Sequence, residues 1–458
     1  MSDATQTWQT TLHAILMHPR APQVLMMPGA DGWLLPQVTL AEDVWRADMR
    51  AVHAGFHQVM AAQFAVLRYI HYHTDYHPDY PTGPGTNRNE VVYVLENHDA
   101  TWEPQGGAAW VGRADVAGLP LAHPDHRALI DKALAEMEGG QVPAIRPPWA
   151  RPGWFGEAAA WTEAELLRLG YTLTAPVEQV KSWGISCILR AHTTAGLVYF
   201  KVASSLPLFA HEPLLMQRLA ARYPACIPAP LSIDEPRRWM LLADFGPAVG
   251  WDAPVEALEE MLVSFAKLQR DAATRADDLA AMGCLDRSLD RLAAQIDPLL
   301  SDPEMLAAQA NADEMARLRA LGPRLKEMCA ELATYAVPHT LVHGDLHLGN
   351  VARSGDGFLF FDWTDACLAH PFLDTICIYQ TEDPAVEARL RDAYLRVWTD
   401  FEPMDRLLEA WALAKPLLAL HQAVSYQHII ATLEDVRKPE NLSGLPYWLR
   451  KMLAMVEE

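Results

Sequence analysis

Six cysteines are few for 458 residues, and none stands in a Cys-x-x-Cys pair. Cys187, Cys226, Cys284, Cys329, Cys367 and Cys377 are scattered, which excludes a disulfide frame or thiolate zinc site and points to reduced thiols in a cytoplasm. No uninterrupted apolar run approaches the ~18 residues of a membrane-spanning helix. The opening stretch, Met1 to Gln6, lacks a basic segment leading into an apolar core, so neither a membrane partner nor secretion is expected. Dense Lys/Arg stretches are missing too. Lys+Arg 37 against Asp+Glu 58 leaves a net charge of -21, a mean field that repels nucleic acid and tolerates a cationic small molecule. Half the residues are apolar and 21% charged, an ordinary globular balance that excludes wholesale disorder.

Proline supplies the clearest boundary. Pro143, Pro147, Pro148 and Pro152 interleave with Trp149, Gly153 and Trp154, and at this density proline opposes both helix and ladder. The expected organisation is an N-terminal α/β domain over 1–142, a Pro/Trp-rich connector over 143–180, a smaller strand-rich lobe with a hinge over 181–246, and a helical lobe over 247–458. In the first domain, Gln23 to Met27 and Glu90 to Glu96 read as buried strands, Glu42 to Ala65 and His126 to Glu138 as helices, and His77 to Asn89 as a loop. Later, Cys187 to Ala191, Leu197 to Ala203 and Trp239 to Ala243 read as strands and Leu208 to Arg222 as a helix. Helical periodicity then runs from Pro254 to Tyr335, interrupted by a strand-rich patch at Thr340 to Trp363. Strands first and helices afterwards predict an α+β fold with two lobes around a cleft, preceded by the extra domain.

The sharpest signal lies in that patch: His343-Gly344-Asp345, then Asn350, then Phe361-Asp362-Trp363. Ser354-Gly355-Asp356-Gly357 is a turn cluster between short strand-like arms, so a hairpin is expected. The midpoint of Asn350 and Asp362 falls at Asp356, which predicts these two face each other across its open end, within reach of Asp345. Two carboxylates and an amide form a hard-oxygen site suited to Mg²⁺, and their convergence demands a positive partner.

This segment resembles the catalytic core of aminoglycoside phosphotransferase-like kinases, which have a protein-kinase-like fold and pass the γ-phosphate of ATP or GTP to small molecules. The resemblance implies that Asp345 orients the acceptor hydroxyl and accepts its proton, that Asn350 and Asp362 hold Mg²⁺, that His343 braces the loop, and that Asp374 pins it from below. It also implies a phosphate-binding lysine on a strand and a glutamate on the next helix. Lys201, in the apolar run Leu197 to Val202, and Glu212, the only acidic residue between Lys201 and Asp234, fill those places. Two features depart from the pattern. Ser182-Trp183-Gly184-Ile185-Ser186 stands where a glycine-rich phosphate loop belongs yet has one glycine, leaving backbone N–H groups and the Ser182 or Ser186 hydroxyl to meet phosphate. Asp244-Phe245-Gly246 spells a kinase metal-binding tripeptide, but by its order it belongs to a hinge where Leu242 and Ala243 would meet the nucleotide base.

For the acceptor, His347, Asp365, Glu382 and Tyr426 are the candidates, with His370, Asp383, His421 and Gln422 behind them. Acidic members suit an amine. In the front domain, Gly32-Trp33-Leu34-Leu35-Pro36 followed by Glu42 and Arg50 is similar to the strand–loop–helix of Nudix hydrolases. Ala51, Ala54 and Gly55 stand where that family's paired glutamates belong, which implies a retained fold without its metal cage. His71, His73 and His77 share a strand-like spacing but lack a third ligand at a recognisable distance. The expected activity is an ATP- or GTP-dependent, Mg²⁺-requiring transfer of phosphate to a hydroxyl of a small molecule, such as an aminoglycoside or other amine-bearing metabolite. The alternative is a catalytically weak nucleotide-binding regulator. The sequence leaves the acceptor and the oligomeric state open.

Overall fold

The computed structural model describes residues 7–75, 86–301, 311–379, 381, 383–438 and 443–457. The chain divides into two compact units: residues 1–201 with 434–437, and 202–433 with 438–458.

In the first unit, β1 (Thr7–Met17) lies parallel to β6 (Thr86–Asn97), which pairs antiparallel with β5 (Phe64–Thr74). β1 also pairs with β2 (Gln23–Gly29) and β4 (Gln37–Leu40); β2 pairs in turn with β3 (Gly32–Leu34) and β7 (Ala109–Gly112). The two-residue period of a strand sorts side chains onto two faces. Leu12, Ala14 and Leu16, with Val91, Tyr93 and Leu95, pack against α1 (Met49–Phe56). Ile15, Val92 and Val94 pack on the opposite side against α2 (Arg113–Gly118) and α3 (His126–Gly139).

The helix expected over Glu42 to Ala65 contracts to α1. Asp48 caps it by accepting from the Arg50 N–H at 3.0 Å, and Phe64 already opens β5, whose aromatic and β-branched residues favour a strand. The expected connector carries a 15-residue helix, α4 (Trp154–Arg168), whose buried Trp154 meets Phe200. Its prolines stop short of that helix, with Gly153 at φ +83° as the N-cap. Of the predicted loop His77 to Asn89, the stretch up to residue 85 lies outside the described residues, and the remainder belongs to β6. β8 (Glu178–Ser182) and β9 (Ser186–Thr193) pair antiparallel, and β10 (Gly196–Ala203) follows after a turn at Gly196, φ +108°. The division between units falls inside β10.

The second unit begins with α5 (Glu212–Arg222), shorter than the expected Leu208 to Arg222 because Pro213, which has no N–H to donate, sits in its first turn. β11 (Ser232–Asp234) and β12 (Trp239–Ala243) pair antiparallel. Then come α6 (Val255–Ala273), α7 (Ala276–Met282), β13 (Leu285–Asp286), α8 (Leu289–Ser301), α9 (Ala312–Ala320) and α10 (Gly322–Leu332). β14 (Thr340–Val342) joins β13 and β17 (Cys367–Ala369) in a small sheet, and β15 (Val351–Ser354) with β16 (Gly357–Phe360) forms the hairpin. The chain closes with α11 (Pro384–Leu395), α12 (Met404–Ala431) and α13 (Gly444–Glu457). One apolar core runs from Leu215 and Phe265 through Trp363 and Phe372 to Leu453. No helix among the described residues is long and apolar enough to cross a membrane.

Candidate active site

β14 is fully buried and delivers the chain to His343, whose imidazole has no solvent exposure. Its Nε2–H donates to the Phe361 carbonyl at 2.9 Å, and Nδ1 accepts from the Asp345 N–H at 3.4 Å. Burial lowers its pKa and keeps the ring neutral, so it acts as a strut between the loop and the hairpin. Gly344 has φ +84°, and a Cβ there would lie 2.5 Å from the Asp365 carbonyl oxygen, so only glycine fits. The buried Asp374 carboxylate accepts from the His343 N–H at 2.6 Å, the Gly344 N–H at 2.9 Å and Gln269 Nε2 at 3.3 Å. Gln422 Nε2 donates to the Gly344 carbonyl at 2.8 Å. The turn is thus held from three directions and Asp345 is left at its crest.

The Asp345 side chain is 48% exposed. Asn350 Nδ2 donates to its backbone carbonyl at 3.0 Å and to its Oδ2 at 3.2 Å, which commits the amide nitrogen and makes Oδ1 the atom with which Asn350 could hold a metal. His347 Nε2 lies 3.5 Å from Asp345 Oδ2, and its Nδ1 accepts from the Gly349 N–H at 3.0 Å. The exposed Trp251 indole stacks on the His347 ring with centroids 4.8 Å apart.

The hairpin forms where the turn cluster predicts, one residue out of the expected register. Val351 pairs with Phe360 and Ser354 with Gly357, placing Gly355-Asp356 at the tip. Phe361, not Asp362, is therefore opposite Asn350, and its N–H donates to the Asn350 carbonyl at 3.0 Å. Asp362 follows in the left-handed region at φ 65°, ψ 62°, which for a non-glycine residue costs about 1 kcal/mol or more and turns the chain abruptly after the ladder. Thr364 Oγ1 lies 3.0 Å from Asp362 Oδ1 and 3.1 Å from Glu212 Oε2, a single hydroxyl proton between two carboxylates. Glu212 Oε1 accepts from the Trp363 N–H at 3.0 Å. Glu212, buried at the start of α5, thus grips the segment immediately after Asp362. An amide oxygen and carboxylate oxygens are hard donors, and this set fits Mg²⁺.

The other sequence candidates sit as follows. Lys201 is buried on β10, at the end of the first unit. Ser182 ends β8, its N–H donating to the Ala47 carbonyl at 3.1 Å, and Ser186 opens β9, its hydroxyl accepting from the Trp183 indole N–H at 2.6 Å. On β12, Leu242 is buried and Ala243 exposed. Asp365 packs its backbone against Gly344. Burial first, then the charges of Asp345 and Asp365, raise the Tyr426 phenol to about 12. Glu382 lies outside the described residues. His370 and His421 are core residues, and Asp383 caps α11. Sequence reading did not single out Thr364, Gln269 or Trp251. Thr364 and Gln269 act through residues remote in sequence, and Trp251 carries no motif; its only signal is a tryptophan in a stretch rich in Pro and Gly after β12.

Residues 201–416 match the family described as "Phosphotransferase enzyme family" (APH). No curated protein matches the chain by sequence. Similar solved structures include a macrolide 2'-phosphotransferase type I (15% identity over 62% of this chain and 96% of that one, TM-score 0.45). A choline/ethanolamine kinase family protein from Mesorhizobium loti gives 15% identity over 66% and 98%, TM-score 0.45. A choline kinase from Streptococcus pneumoniae gives 13% over 64% and 98%, TM-score 0.44. Asp345, Asn350 and Asp362 all lie within the residues that match the phosphotransferase family, in an α+β chain with a further region preceding the match.

Proposed function

We propose that this chain transfers the γ-phosphate of ATP, or of GTP, to a hydroxyl of an amine-bearing small molecule in a Mg²⁺-dependent reaction. The observation that carries this reading is the accessible Asp345 carboxylate, held by Asn350, whose backbone partner Phe361 immediately precedes Asp362. Asp345 accepts the acceptor's hydroxyl proton as the oxygen attacks in line. Its Oδ2 is fixed by the Asn350 amide and the His347 ring, so little reorientation is needed at the moment of reaction. Asn350 and Asp362 would hold Mg²⁺, and the ion would supply charge neutralisation for the phosphates. Lys201 is assigned the phosphate-neutralising cation, Glu212 and Asp374 the positioning of the two loops, and Leu242 and Ala243 the nucleotide base. Asp345, Asp365 and Tyr426 present negative charge and acceptor oxygens, and the Trp251 face offers a cation–π surface, which together favour a protonated amine on the acceptor.

The test is Asp345→Asn against Asp362→Ala in an ATP-consumption assay across aminoglycosides, choline-like amines and amino sugars. Asp345→Asn should lower kcat by at least about 10² with nucleotide affinity retained, the range expected for a lost general base. Asp362→Ala should weaken Mg²⁺-dependent nucleotide binding itself. Undiminished turnover in Asp345→Asn refutes the assignment. One observation favours a second reading, a nucleotide-binding protein of low turnover: in the Ser182–Ser186 turn, the Ser182 and Trp183 N–H groups and the Ser186 hydroxyl are already engaged within the first unit. Nucleotide binding without phosphate transfer to any acceptor would select it.

A further inference from the structure

Away from the kinase-type site, the α3 side of the first unit's sheet carries a concentration of imidazoles. β1 and β5 flank β6, and His13 on β1 and His71 on β5 are both in register with Val92, so the two histidines belong to one row across the sheet. Glu90 precedes Val92 by two positions and shares its face. His126 begins α3 and His123 lies just before it, bringing two more rings over the same spot. His13 and His126 have ring centroids 4.6 Å apart, and His123 lies 5.4 and 4.9 Å from them.

We propose that His13, Glu90 and His126 form a binding site for a divalent transition-metal ion of the zinc type, with His123 or His71 adjacent to its remaining position. The ligand atoms of these three residues lie within 4.8 Å of one another. His126 Nε2 and His13 Nε2 lie 3.2 and 3.4 Å from Glu90 Oε1. An edge of a tetrahedron with bonds of 2.0–2.1 Å measures about 3.3 Å, so both separations match zinc coordination without movement of the backbone. A second observation is independent of this spacing: His13 is 2% exposed, and its Nδ1 is buried with no hydrogen-bond partner. A ring taken from water with one nitrogen unpartnered is costly; ligation through Nε2 leaves Nδ1 as it is but gives the ring a strong bond at its other nitrogen. Two imidazoles and one carboxylate suit Zn²⁺, Co²⁺ or Ni²⁺ better than Mg²⁺ or Ca²⁺, which take oxygen donors. An ion there ties α3 to the two central strands of the sheet. Glu90 at 38% side-chain exposure gives it a route from solvent.

The experiment uses the full-length chain, stripped with a chelator and desalted. Zn²⁺ is titrated against a chromogenic competitor, and Co²⁺ is added separately to read coordination from its visible spectrum. One tightly held equivalent is expected, with a tetrahedral Co²⁺ spectrum. Glu90→Gln and His126→Ala should each weaken it by more than the roughly 10–100-fold that loss of a supporting partner costs. Both lie at the edge of the cluster, and their circular dichroism should match the parent's. Asp362→Ala should leave the zinc equivalent in place. Sub-stoichiometric binding in the parent, unchanged affinity in both cluster variants, or loss of the ion in Asp362→Ala instead would each overturn the proposal.

Discussion

Gly344 and Asp362 meet the same problem with opposite residues. Both sit at positive φ near the Asp345 carboxylate proposed as the base, but Gly344 has no room for a Cβ, whereas Asp362 accepts the strain and keeps its side chain. Gly344→Ala should therefore lower stability by about 1–3 kcal/mol and depress turnover, because relieving the contact with the Asp365 carbonyl moves the turn that presents Asp345. Thermal melts and steady-state kinetics on the same preparation would show both effects; a fully active, equally stable variant would contradict the stated fit. Such single positions were legible in the sequence to the extent that their chemistry is local. His343-Gly344-Asp345 announced a turn with a carboxylate. The links from Thr364 to Glu212 and from His347 to Trp251 join residues about 100 or more positions apart, and no local pattern encodes them.

The β15–β16 hairpin shows how far turn chemistry carries a prediction. Ser354-Gly355-Asp356-Gly357 fixed its place, but the midpoint argument assumed a one-residue tip, and the actual two-residue tip shifts Asp362 beyond the ladder. Helix ends were less legible: α1 stops at Phe56 because the following residues turn into a strand, which apolar periodicity alone did not reveal. Asp374 belongs to this scale, since it couples a short helical turn to the His343-Gly344-Asp345 loop. Burial raises its pKa from 3.8 to about 7, against the opposing pull of the His343 and Gly344 N–H groups. The folded value lies above the unfolded one. The native state therefore holds a proton that the unfolded chain has released between about pH 4 and 7, and stability falls as pH rises through that window. Urea denaturation across this range should show the decline in the parent and a flatter profile in Asp374→Asn, whatever that variant's absolute stability. Parallel profiles would remove Asp374 as the cause.

At the scale of the whole molecule, residues 434–437 belong to the first unit although the chain around them belongs to the second. Their anchor is Arg146, 2% exposed, which reaches Glu136 at 2.6 Å and Glu434 at 2.8 Å, while Arg68 also holds Glu136 at 2.5 Å. Removing one member of such a buried network strands its partners, so Arg146→Ala should cost about 3–5 kcal/mol in chemical denaturation. A loss under 1 kcal/mol would mean that the network is solvated in solution. The proline-rich stretch around Arg146 was visible from composition, but its partner near the far end of the chain was not. The family match begins at Lys201, in the interior of β10, and ends at Pro416, within α12. A recombinant fragment cut to those limits would start in mid-strand and finish in mid-helix, so the boundaries drawn by sequence likeness are poor scissors for this polypeptide.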